Sequence, residues 1–179
     1  MIHFILVPAV VFLSAMSPGP DFALVVKNCL GNRLTTGIFT ALGISTAALI
    51  HVLYCAFGVA QLVSHSKGLS VCVSLGGGLY LFYLGARCFL SSAPEKFTSV
   101  QGENLGAITD FHRGFICHLL NPKAISFFVA ILSGVIGANI PISQVIFYAF
   151  EVFMALFLWF SLLSWLILRP WLERRLLMV

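Results

Sequence analysis

Long apolar runs alternate with short polar breaks along this chain. The first run extends from about Phe4 to Val26 and is interrupted once, at Ser17-Pro18-Gly19-Pro20-Asp21. The second, about Gly37 to Val63, lies in a stretch from Leu34 to Ser66 that contains no Asp, Glu, Lys or Arg. A third covers about Leu69 to Leu90, and a polar loop from Ser91 to His112 follows it. The fourth, about Gly114 to Ile136, carries Asn121-Pro122-Lys123, and the fifth, about Ile142 to Leu168, begins after Pro141 and contains Glu151. A membrane-crossing helix needs about 20 mainly apolar residues. Barrel strands alternate apolar and polar positions, whereas these runs are apolar on every side. The pattern predicts an all-α, polytopic integral membrane bundle of five transmembrane helices, with helices 1 and 4 broken by proline. One membrane domain accounts for residues 1–179, and the tail from Arg169 to Val179 is too short to span.

Composition supports a lipid environment: 60% of the 179 residues are hydrophobic and 9% charged, too few charges to cover a water-soluble domain. The net charge of +4 does not point to nucleic acid, because the basic residues form no patch. They follow topology instead, since basic loops stay in the cytoplasm. Lys27, Arg33, Arg87, Lys96, Arg113, Arg169, Arg174 and Arg175 fall on one face and Lys67 on the other. That distribution places the amino terminus outside and the tail inside. Met1 to Ser17 has no basic leader and runs into further apolar sequence, so it reads as a retained first span and not a signal peptide. The five cysteines are scattered without metal or CxxC spacing, which fits small buried residues. Gly37/Ala41, Gly43/Ala47 and Ser133/Gly137 offer small-residue spacing for close helix packing in lipid.

The candidate chemistry lies at the two breaks. Proline removes a backbone donor, and in hydrocarbon the carbonyls it frees need partners from protein or cavity water. Pro18, Gly19 and Pro20 break the first segment and Pro122 breaks the fourth. Three segments separate the starts of these two, so the halves have opposite topology. Broken helices at matching places in inverted halves mark the binding site of many secondary transporters. Asp21 and Lys123 each follow a proline, and each costs on the order of 2.5 to 3.5 kcal/mol at the centre of a membrane helix. A helix restarting after proline also offers unpaired N–H groups. Asp21 could hold a substrate ammonium or a proton, and Lys123 a substrate carboxylate, which matches a zwitterion of amino-acid size. Ser17 and Asn121 complete the candidate substrate-binding set. The alternative is that Asp21 caps its helix and that Lys123 snorkels or pairs with it.

Other residues carry less. Glu151 is expected at the outer interface, and His51 and His118 read as satisfied packing residues. Gly76-Gly77-Gly78 lacks a phosphate-binding context. No hydrolytic set, metal cluster or P-loop appears, so the sequence implies neither an enzyme nor a cofactor. A thiol-redox carrier using Cys29 and Cys117 is a competing class, and a non-transporting remnant is another.

The chain resembles the LysE/RhtB amino-acid exporters. The likeness is carried by Ser17-Pro18-Gly19-Pro20, Gly37 with Gly43, Gly78-Leu79-Tyr80-Leu81 with Tyr83-Leu84-Gly85, and Arg113-Gly114-Phe115 leading to Asn121-Pro122-Lys123. It implies a secondary transporter of the cytoplasmic membrane that exports amino acids or close derivatives and is driven by protons. It also implies six helices in an inverted repeat and a possible homo-oligomer. Against that pattern, the sequence stops at Val179, where the family continues into a sixth helix.

Overall fold

The computed structural model describes residues 2–30, 33–59, 106–135 and 140–169, with scattered positions between 68 and 86. All regular structure among the described residues is helical. Helix α1 (Ile2–Met16) is followed after a three-residue break by α2 (Pro20–Cys29), and α3 (Leu34–Tyr54) ends in a π-helical turn, Cys55–Val59. After the polar loop come α4 (Ala107–Leu119), α5 (Pro122–Val135) and α6 (Ile142–Ile167).

Two helices are long and apolar enough to cross a membrane unaided, namely Leu34–Gly58 and Ile142–Ile167. The others form two bent pairs, α1 with α2 at 62° and α4 with α5 at 58°. Counting each pair as one span gives up to four among the described residues. The six described helices therefore run bent pair then straight helix, twice over. Both bends fall where proline forbids a continuous ladder, because Pro20 and Pro122 each occupy the first position of the resumed helix and supply no N–H to the preceding turn. Most of segment three, together with Lys67, Gly77 and the tail beyond 169, lies outside the described residues.

Outward faces keep their apolar residues: Leu13, Ile146 and Leu158 are all more than 60% exposed, as a lipid-facing surface requires. Polar side chains on α3 are satisfied locally. Thr40 and Ser45 donate to the carbonyls of Thr36 and Ala41, one turn back, and Asn28 of α2 donates to Thr40 at 3.0 Å. The backbones of α3 and α4 touch. A Cβ on Gly43 would overlap the carbonyl of Phe111, and one on Gly114 that of Thr40. With no hydrophobic drive between helices in lipid, such close approach supplies the packing. Gly37 meets Ser164 of α6 and Cys29 of α2 in the same way. Contacts along α3 and α4 ascend together, from Thr36 with Asp110 through Thr40 with Gly114 to His51 with His118, so these two helices run parallel.

Two sequence expectations are corrected. The polar loop was expected to reach His112, but α4 begins at Ala107, and Asp110 is buried against Thr36. Gly106, at a φ of 87°, turns the chain into the helix, a conformation glycine adopts without strain. Glu151, expected at an interface, is the tenth residue of α6, about 14 Å along it at 1.5 Å per residue, and its Oε2 is buried without a hydrogen-bond partner.

Candidate functional site

Each break is completed by side chains from the other. The last carbonyls of α1 have no partner within their own helix. The ammonium of Lys123 donates to Ser14 O at 2.9 Å and Ser17 O at 2.8 Å. The Trp159 indole of α6 donates to Ala15 O at 3.1 Å, while its ring stands edge-on to Phe12. In return, Asp21 of the first break receives hydrogen bonds from the second. Its Oδ2 accepts from His118 Nδ1 at 2.9 Å and from Asn121 Nδ2 at 2.8 Å. Asn121 serves twice, because its Oδ1 also accepts the Lys123 N–H at 3.0 Å and so caps α5. Gly19, at the matching position before α2, has no side chain to do this. The first turn of α2 therefore has no side-chain cap, and Gly19, Asp21 and Phe22 line the space between the breaks.

That space is a cleft bounded by both breaks, α1 and α6. One part is polar, with Ser17, Asp21, His118, Asn121 and Lys123, and another is apolar, with Phe127, Phe128, Leu156 and Phe160. Asp21 is only 9% exposed, and its Oδ1 has no hydrogen-bond partner among the described residues. A buried carboxylate with one oxygen satisfied and one open is costly unless a cation or proton meets it.

The structure brings together all four sequence-predicted binding residues, Asp21, Lys123, Asn121 and Ser17, at one cleft. His118 was expected to be a packing residue and is instead a hydrogen-bond partner of Asp21. His51 lies behind it, with Nε2 on the His118 carbonyl at 3.2 Å and its ring stacked on Phe128. A usable signal existed, because His118 precedes Asn121 by one helical turn and so shares the face of the break. Cys117, expected away from the breaks, has its thiol beside Asp21, whereas Cys29 lies near Gly37. Asp21 and Cys29 are about 12 Å apart along α2, too far for a thiol pair bridged at Cα separations below about 7 Å.

The family described as LysE type translocator matches residues 12–177. The chain belongs to this family. Among relatives of this LysE-type chain, the threonine efflux protein of Escherichia coli (strain K12) is 27% identical over 140 residues, covering 76% of this chain and 68% of the relative. The leucine efflux protein of Salmonella choleraesuis (strain SC-B67) is 30% identical over 131 residues, covering 73% and 62%. No solved structure matches. The resemblance read from the sequence motifs is thus shown, and with it a family of transporters.

Proposed function

We propose that this LysE-type translocator exports small, uncharged amino acids across the cytoplasmic membrane in exchange for protons. The observation that carries the reading is the open Oδ1 of Asp21, buried in a cleft between two broken helices. A substrate ammonium completes that carboxylate, while the substrate carboxylate lies toward Lys123 and the uncapped first turn of α2. The apolar side of the cleft accepts an aliphatic or hydroxylated side chain. Among the described residues Asp21 is the only acid lining the cleft, so a second cationic group, as in lysine, finds no counter-charge among them. Threonine and leucine, named in the relatives, suit such a site.

The proposal includes five spans with the amino terminus outside and the tail in the cytoplasm. Parallel α3 and α4 support it, since the chain joining them must return the length of α3, and segment three is apolar enough to do so through lipid. The test is export of a radiolabelled panel from cells expressing the chain. Threonine- and leucine-like substrates should leave faster than in control cells, and lysine should not. No export of any neutral amino acid from the intact chain would overturn the reading.

A further inference from the structure

We infer that His118 and His51 together form the proton-binding element of this transporter, with His118 passing the proton's effect to the substrate through Asp21. The inference rests on the proton-coupled exporter reading above.

Hydrogen-bond accounting leads to it. An ionised carboxylate only accepts, so the contact of His118 Nδ1 with Asp21 Oδ2 places the proton on Nδ1. In the neutral ring the other nitrogen, Nε2, then carries a bare lone pair. His51 Nε2 meets the His118 carbonyl, which also only accepts, so the bare nitrogen of His51 is Nδ1. These two nitrogens, His118 Nε2 and His51 Nδ1, are buried without partners among the described residues. The residues are 3% and 1% exposed and their ring centres 5.1 Å apart. Two further orphaned polar atoms bracket them: Asp21 Oδ1 on the cleft side and, beyond His51, the hydroxyl of Tyr54, whose ring is 5.3 Å from that of His51. Tyr54 is the last residue of α3 before the π-helical turn. A file of four unsatisfied polar groups therefore leads from the cleft toward the end of α3, where buried polar groups are ordinarily paired. Packing alone does not require a second histidine. The groups that satisfy two bare imidazole nitrogens are a proton and the water that delivers it.

The step is a simple transfer. A proton from outer water, arriving past Tyr54 and His51, binds the lone pair of His118 Nε2 and converts the ring to imidazolium, with no other bond made or broken. The imidazolium neutralises Asp21 through the Nδ1–H bond, and the substrate ammonium loses its counter-charge and leaves outward. Return of the empty carrier releases the proton to the cytoplasm. The ionisable groups around the two rings are Asp21 from α2, Tyr54 and Cys55 from the end of α3, Cys117 from α4 and Lys123 from α5.

Purified chain in proteoliposomes separates the possibilities. Exchange of labelled for unlabelled amino acid without a gradient reads binding and translocation, and accumulation under an imposed pH gradient reads coupling. His51→Gln should keep exchange but lose gradient-driven accumulation by roughly 5- to 150-fold, the usual span of a coupling free energy. Substrate-induced proton release, followed with an indicator dye on wild-type protein in detergent, should be present and should fall in His51→Gln, which touches neither cleft nor substrate. If His51→Gln accumulates substrate like wild type, or releases protons normally, the histidine inference is wrong while the exporter reading stands. Should wild type exchange substrate but ignore the gradient, coupling itself fails and the inference with it. Absence of exchange in wild type overturns the exporter reading as well.

Discussion

The two breaks have nearly the same bend and opposite ways of being satisfied. The second carries its own cap: Asn121 closes the start of α5 and holds Asp21. The first has glycine at the matching place, no side-chain cap, and carbonyls that depend on Lys123 and Trp159 from the other half. A self-sufficient break is a fixed piece of scaffold. One that borrows its partners leaves backbone donors and a carboxylate oxygen open to a ligand. Binding capacity thus concentrates at the first break, and the second supplies the groups that orient it.

Substitutions can break or sharpen that contrast. The largest effect is expected for Asp21→Asn, which keeps an acceptor for His118 and Asn121 but removes the charge that meets the ammonium. Truncating one partner of a buried charge pair in a complex costs roughly 2 to 5 kcal/mol of binding, so export should fall by about 30-fold or more while the protein still elutes as a folded species. Lys123→Met comes next, because it strips charged donors from two carbonyls, each such bond being worth roughly 1.5 to 3 kcal/mol. Its melting temperature in detergent should drop along with export, unlike that of Asp21→Asn.

Gly114→Ala should then separate α3 from α4 and cost about 1 to 3 kcal/mol by overpacking, whereas Gly58→Ala, with nothing within 4 Å of its new Cβ, should leave the melting temperature unchanged. The smallest effect is the most discriminating. Gly19→Ser gives the first break a cap of its own, which should raise stability by a few tenths of a kcal/mol while lowering export. Its Cβ lies 3.3 Å from Lys123 Cδ, a flexible chain able to give way. A gain in both stability and export would show that the uncapped turn has no part in binding.

Much of this was legible in the sequence because it rests on local rules. Proline fixes where a helix restarts, so both bends could be placed. The cost of a charge in lipid singled out Asp21 and Lys123, and Ile142–Ile167 follows from hydrophobic length. The partners were not legible. Asp21 and His118 are 97 positions apart, and the spacing of His118 from Asn121 puts it on the face of the break without naming its partner. Lys123 was expected to meet a substrate carboxylate or to pair with Asp21, and its bonds to the Ser14 and Ser17 carbonyls depend on where α1 ends in space. Asp110 reads as a loop residue because its neighbours are polar. Only the approach of Thr36 makes its burial possible.

The central claim is that the open oxygen of Asp21 holds a substrate ammonium, and equilibrium binding to the purified chain tests it most directly. Labelled leucine or threonine should be displaced by the unlabelled amino acid but not by its N-acetyl derivative, which lacks the positive charge, and Asp21→Asn should not bind. Displacement by the N-acetyl compound as effective as by the free amino acid, or binding by Asp21→Asn within about twofold of wild type, a difference of only about 0.4 kcal/mol, would contradict the account.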